Sequence, residues 1–217
     1  MATHIEDGLI QRSKLNEIYN LIDLKHHIEE YSNGAVMVTP RGVTFNGKPI
    51  DGRLNDRLLG ALDAEDGAEY DTLESLTNFM IKLDENPSYK AAKRLYDFIQ
   101  ANDIKIDKNG DIIAYKVANK DYLDKFTHTI DNTPGNVVKM SRNDVNDDDT
   151  ATCSHGLHVM SPTKYLSFYH SGFDRVVEVK INPKDFCAIP VDYNDGKARV
   201  CEYLVVRDVT DEFLHKD

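Results

Sequence analysis

The 217-residue sequence lacks tryptophan, long apolar runs and paired cysteine motifs. No apolar stretch approaches the roughly 18 residues that a membrane-spanning helix needs, so we expect no integral membrane protein. The first seven residues contain neither a basic nor an apolar region, and we expect no secretory signal there. Cys153, Cys187 and Cys201 form no Cys-x-x-Cys motif, and their odd number predicts free thiols in a reducing cytoplasm.

Clusters of basic residues are also missing. The formal net charge of −11 at pH 7 means that the chain as a whole repels nucleic acid and anionic lipid. Without a basic patch, we expect no direct nucleic-acid binding and at most a peripheral contact with membranes. The sequence has no Gly-rich phosphate loop, no Gly-x-Ser-x-Gly elbow and no His-Glu-x-x-His motif, so no common enzyme signature is present and no cofactor is predicted.

The apolar positions predict an α+β fold with a mostly helical region at residues 1–102 and an α+β region at 103–217. A β-hairpin is predicted at 35–50, because Pro40-Arg41 and Asn46-Gly47 are turn sequences between apolar residues. Helices are predicted where apolar residues recur every three or four positions, at about 13–31, 54–62, 73–83 and 88–99.

The second region begins with a predicted hairpin across Asn109-Gly110 and continues into an antiparallel or mixed sheet with one or two helices. Residues 118–155 form a polar stretch that predicts a long loop, and loops of that length are usually functional or disordered. A short helix is predicted to begin at Ser161-Pro162. The remaining strands are predicted near 156–161, 175–181, 186–190 and 198–206.

An apolar stripe runs along the first predicted helix, formed by Leu21, Leu24, Ile28 and Tyr31. Such a stripe covers either the core of its own domain or a partner helix. Because the spacing resembles a heptad seam, we predict that this surface self-associates.

His158 is the centre of a predicted anion site. On a strand that turns Leu157 and Val159 to the core, His158 faces the other side, beside the helix predicted to begin at Ser161. Free amides at a helix N-terminus favour an anion, and Lys164 adds a positive charge in the first turn. Lys116 is the fourth candidate ligand-binding residue. The alternative is that His158 is an ordinary strand residue.

Glu202 interrupts the apolar pattern of the strand predicted at 198–206. A buried carboxylate needs a partner, so Glu202 lies near a sheet edge, pairs with Lys180 or Lys116, or stands in a pocket. If the chain is an enzyme, His158 and Glu202 are the candidate catalytic residues.

No metal site is predicted. Asp147, Asp148 and Asp149 are the candidates for a divalent cation, against the alternative of a solvated loop. Cys153-x-His155-x-x-His158 carries ligands that zinc accepts, but a fourth ligand is missing.

Motifs from about residue 111 to 206 are similar, in order, to the C-terminal region of the bacteriophage rIIB (rapid-lysis) family. They include Ala114-Tyr115-Lys116-Val117, Thr129-Ile130-Asp131-Asn132-Thr133-Pro134-Gly135, Cys153-Ser154-His155-Gly156-Leu157-His158-Val159 and Val179-Lys180-Ile181-Asn182-Pro183. The family has no agreed catalytic residues, so no site is carried over from it. Larger members look as if they begin with a helix-turn-helix, whereas residues 1–70 here predict a helix and a hairpin.

The resemblance implies a phage-encoded early protein in the host cytoplasm, or peripherally at the inner membrane. It implies binding to host or phage proteins, including a second rapid-lysis subunit, in lysis timing or in countering host exclusion. A second resemblance, to the order of elements in ADP-ribosyltransferases, implies a nucleotide-binding C-terminal sheet. There the early strand offers Tyr115 and Lys116 in place of the Arg or His of that family, so a non-enzymatic role is favoured.

Overall fold

The computed structural model divides the chain into two compact units, Met1–Asn55 and Asp56–Asp217. It describes residues 22, 25–26, 28–39, 42–60, 72–102, 104–162, 174–191 and 196–214. Across these residues, none of the helices has the length and apolar character needed to cross a membrane. The predicted boundary after residue 102 stays a prediction.

The first unit contains the predicted hairpin, which is confirmed. Strands β1 (Val36–Thr39), β2 (Gly42–Phe45) and β3 (Lys48–Pro49) form an antiparallel sheet in that order. The turn between β2 and β3 places Asn46 at φ 49° and Gly47 at φ 75°, the left-handed conformation that a tight hairpin turn requires. Residues 28–31 are helical, and most of the helix predicted at 13–31 lies outside the described residues.

Three helices follow, close to their predicted positions: α1 (Gly52–Gly60), α2 (Leu73–Asp84) and α3 (Tyr89–Asn102). The Thr72 hydroxyl caps α2 by accepting from the amide of Ser75, and the Ser88 hydroxyl accepts from the amide of Ala91 in α3. The predicted apolar stripes face inward. Their buried members include Leu76, Phe79, Met80 and Leu83 on α2 and Leu95, Phe98 and Ile99 on α3.

The second unit is built on a seven-stranded antiparallel sheet. Its strands are β4 (Ile112–Ala118), β5 (Val137–Lys139), β6 (Leu157–Met160), β7 (Arg175–Ile181), β8 (Phe186–Ala188), β9 (Lys197–Val200) and β10 (Glu202–Asp208). They lie in the order β5-β10-β7-β4-β6-β9-β8. A short helix, α4 (Thr210–Leu214), ends the described chain, and the predicted α+β class is confirmed.

The prediction of a single strand at 198–206 is wrong. The chain bends at Cys201, and this bend separates two strands, β9 and β10. Three strands separate β9 from β10 in the sheet, a distance of about 19 Å if the sheet were flat. One residue spans far less than that, so the sheet must curl until the two strands meet. The bend also exchanges the faces: register places Arg199 on the face of Tyr115, and Tyr203 on the opposite face.

The polar stretch 118–155 hydrogen-bonds extensively to its own backbone. The buried Asp124 carboxylate accepts from the amides of Phe126, Thr127, Thr129 and Ile130, and from the Thr127 hydroxyl. The stretch also contains β5 and a 3-10 helix at Arg142–Asp144. Its polar composition therefore reflects side chains that satisfy loop amides, which apolar residues cannot do.

Candidate functional site

Three of the four predicted ligand-binding residues lie around β6. Lys116 Nζ donates to the carbonyl oxygen of His158 at 3.2 Å. The amide of Ser161 donates to the carbonyl of Gly196 at 2.9 Å, and its buried hydroxyl has no hydrogen-bond partner among the residues that the structure describes. In this part of the chain the described residues end at 162. Lys164 therefore lies outside them, as does most of the helix predicted to begin at Ser161-Pro162.

Lys116 is a buried cation. Its side chain is on the face of Tyr203, with Nζ 5.9 Å from the centre of that ring. Burial lowers the pKa of Lys116 to about 8, against the opposing pull of the Asp124 carboxylate. The amine is therefore mostly charged at neutral pH. Only 8% of the residue is exposed, so the protein itself shields this charge from ligands in solution.

His158 is neutral at pH 7. Burial lowers its pKa to about 4, and the positive charges of Lys197, Lys116 and Arg199 act in the same direction. Its Nε2 lies 2.8 Å from the carbonyl oxygen of Ser154. A carbonyl only accepts, so we assign the Nε2–H tautomer. His158 thus supplies a hydrogen-bond donor to the protein's own backbone, and the predicted anion site stays a prediction.

Two buried cations on β9 were not among the predicted site residues. The guanidinium of Arg199, which has no exposed surface, donates to the carbonyls of Asn146 and Ala151 at 2.7 Å and Asp148 at 2.5 Å. Lys197 Nζ donates to the carbonyl of Thr152 at 2.6 Å. We call Lys197, Arg199 and His158 the carbonyl clasp, because all three donate to main-chain oxygens of residues 146–154. The clue in the sequence is Lys-x-Arg at alternate positions of a strand, where buried cations need partners.

The segment held by the clasp is the acidic loop, residues 146–154. Asp147 and Asp148 are exposed, whereas Asp149 is buried and pairs with Lys90 at 2.6 Å. The Asp148 carboxylate accepts from the hydroxyl and amide of Thr150, and these bonds lower its pKa. Because the clasp binds carbonyls, the Asp147 and Asp148 carboxylates keep facing solvent. In the part of the chain that the structure describes, no group of three or more His, Cys, Asp or Glu residues is arranged to hold a metal ion.

The other candidate residues engage separate partners. Glu202 is half-buried beside the edge strand β5, where Lys139 Nζ lies 3.3 Å from its carboxylate. This agrees with the sheet-edge alternative, and the ion pair is with neither Lys180 nor Lys116. His155 Nδ1 contacts the carbonyl of Asp144 at 2.6 Å. The nucleotide-binding alternative stays a prediction.

Two comparisons with known proteins give matches. Residues 34–211 match the family model described as Bacteriophage T4 protein rIIB. Protein rIIB of Enterobacteria phage T4 is 42% identical over 206 residues, which are 95% of this chain and 64% of that protein. The chain thus spans less than two thirds of the length of this curated relative. No solved structure matches the chain.

Proposed function

Because the chain belongs to the bacteriophage T4 rIIB family, as its motifs predict, we propose that it acts by binding proteins rather than by catalysis. The proposed setting is the host cytoplasm, or the periphery of the inner membrane, with host or phage proteins as partners. A second rapid-lysis subunit is one such partner. The proposed outcome of binding is a change in lysis timing or resistance to host exclusion.

The observation that carries this proposal is the acidic loop on its buried clasp. Arg199 alone holds three carbonyls of the loop, which fixes the backbone that presents Asp147 and Asp148. A loop that is ordered before binding loses less conformational entropy in a complex. Two exposed carboxylates on such a loop favour a partner surface that carries lysine or arginine.

Exposed apolar side chains adjoin the acidic loop. Tyr89 is 82% exposed and Val191 is 59% exposed. The amide of Val191 donates to the carbonyl of Asp149 at 3.0 Å, and Tyr89 immediately precedes Lys90, whose side chain pairs with the Asp149 carboxylate. Aromatic and apolar groups bordered by charge are typical of protein interfaces. We call Tyr89, Val191, Asp147 and Asp148 the acidic face, and we propose it as the partner-binding surface.

Affinity capture from infected cells tests the proposal. The double variant Asp147→Asn, Asp148→Asn should lose a partner that the unmodified chain retains, and added salt should weaken the retained complex. Asp121→Asn, Asp131→Asn is the matched control, because Asp131 caps Thr133 as Asp148 caps Thr150. Recovery of the same partner at equal yield with the acidic-face variant would exclude this surface.

Self-association is the second proposed interaction, through the stripe on the first predicted helix. Within its unit Ile28 is buried, while Tyr31 is 47% exposed. Leu21 and Leu24 lie outside the described residues. Light scattering should give a concentration-dependent dimer mass that Tyr31→Glu reduces. A monomer mass at every concentration would reject self-association without affecting the acidic-face proposal.

A further inference from the structure

Two buried thiols meet where β8 and β9 approach the bend at Cys201. The amide of Cys201 donates to the carbonyl of Asp185 at 3.0 Å, and a β-bulge falls between Phe186 and Ala188, at Cys187. Cys187 and Cys201 are on the strand face opposite Phe186 and Val200, because neighbouring residues alternate. Cys187 is the diagonal neighbour of Cys201 across the two strands, and the side chains of the two residues pack in the same buried cluster.

Both sulfurs also contact the same residue. Cys187 Sγ lies 3.5 Å from the carbonyl oxygen of Asp185, and Cys201 Sγ lies 3.6 Å from its carboxylate oxygen Oδ1. The two cysteines form one buried cluster with Val145, against which Met140 packs. The pair is therefore held in place from several directions. Cys153, by contrast, is exposed.

We propose that Cys187 and Cys201 form a redox-active pair that a hydroperoxide converts into an intramolecular disulfide. Nothing in the proposed protein-binding function requires this pair, so the two proposals stand or fall separately. Hydrogen peroxide is small enough to reach sulfurs whose residues are 3% and 7% exposed. Because the two side chains already pack in one buried cluster, an S–S bond of about 2.05 Å needs only a local movement of the two cysteines.

Cys201 is the attacking residue. Cys201 is the more exposed of the two residues, at 7% against 3%, and the neighbouring Cys187 thiol and the positive charge of Arg142 lower the pKa of Cys201. The Cys201 thiolate attacks one peroxide oxygen, the O–O bond breaks, and the departing hydroxide leaves as water after taking a proton. This step oxidises Cys201 to a sulfenic acid.

Cys187 resolves the sulfenic acid. Its sulfur attacks Cys201 Sγ, an S–S bond forms as the S–O bond breaks, and the leaving hydroxide takes the Cys187 proton to give a second water. Two thiols and one peroxide therefore yield one disulfide and two waters. Formation of the disulfide pulls the bulge of β8 toward Cys201. Both cysteines pack against Val145, the residue that immediately precedes the acidic loop.

The test is peroxide treatment of the folded full chain, followed by alkylation of free thiols, proteolysis without reduction and mass spectrometry. We expect a peptide pair linked through Cys187 and Cys201 and lighter by two hydrogens, which dithiothreitol reverses. Cys153→Ser should form the same link. Linkage through Cys153, or Cys187 and Cys201 both still reduced when Cys153 is fully oxidised, would overturn the proposal.

Single variants separate the roles of the two thiols. Cys187→Ser should leave Cys201 as a sulfenic acid that dimedone labels, whereas Cys201→Ser should leave Cys187 unlabelled. Circular dichroism at the start of each experiment establishes that the variants are folded. If either variant is unfolded, the linkage map of the unmodified chain and of Cys153→Ser decides the proposal. Equal dimedone labelling of both folded variants would contradict the assignment of Cys201 as the attacking thiol.

Discussion

Replacing Arg199 by alanine should destabilise the fold more than any surface substitution. The change removes three hydrogen bonds from a fully buried guanidinium to the carbonyls of Asn146, Asp148 and Ala151. Hydrogen bonds to a charged group contribute about 1.5–3 kcal/mol each. Water can reach the carbonyls of a surface loop after the change, so we expect a net loss of about 4 kcal/mol rather than the full sum.

Two further variants make this test specific. Arg199→Lys keeps the charge, but a compact ammonium does not span three carbonyls as a planar guanidinium does, so we expect a loss of about 2–3 kcal/mol. Lys139→Ala removes an exposed ion pair with Glu202 from the same sheet and should cost less than about 1 kcal/mol.

Urea unfolding followed by circular dichroism measures these free energies. Hydrogen exchange of the amides in the acidic loop then shows whether the clasp orders that loop, because lost protection should be concentrated at 146–154. A loss below about 1 kcal/mol for Arg199→Ala, or unchanged amide protection in the loop, would refute the clasp argument.

Three other predictions concern single residues. The folded-state pKa of His158, about 4, lies below its unfolded value, so the free energy of unfolding should fall as pH drops from about 6.5 to 4, by about 2 kcal/mol between pH 7 and pH 5. In urea titrations at pH 7 and pH 5, His158→Gln should remove this fall in the free energy of unfolding. The same pH dependence in the variant and the unmodified chain would disprove that His158 is its source. Asp124→Asn should cost about 2 kcal/mol, because an amide cannot accept all the donors that the carboxylate does, and an unchanged thermal midpoint would contradict this. Gly110→Ala should destabilise by more than about 2 kcal/mol, because Gly110 has φ 80° and a Cβ would collide with the amide nitrogen of Phe79. In the control Gly135→Ala, at φ 96°, no atom of the described residues lies within 4 Å of the added Cβ. Urea unfolding should therefore give a loss of only about 1 kcal/mol, and equal losses for the two variants would rule out the collision.

The acidic face and the thiol pair share a region of the second unit. Val145 packs with Cys187 and Cys201, and the acidic loop begins at the next residue. Partner capture by the peroxide-treated chain, compared with capture by the untreated chain, distinguishes two arrangements. Either peroxide treatment changes partner capture by the acidic face, or the disulfide forms without consequence for binding.

Local patterns were enough to predict helices α1 to α3, the hairpin at 35–50 and the family. Apolar spacing placed α2 and α3, and Asn46-Gly47 and Asn109-Gly110 marked turns, because these signals depend only on neighbours along the chain. The ordered motifs predicted the rIIB family, and the comparisons confirm it. The hairpin in the first unit needed no long-range information.

Only the tertiary structure decided where the strands lie in the sheet and what the buried charges contact. Residues 198–206 have the apolar pattern of one strand, yet the curl of the sheet places β9 and β10 at distant positions in its order. Strand order is set by contacts between residues far apart in sequence, and no local pattern encodes it. For the same reason Lys197 and Arg199 gave no sign that their partners were loop carbonyls some 45 to 53 positions earlier in the chain. The chemistry of a buried charge depends on what folds over it, and here a loop folds over the clasp.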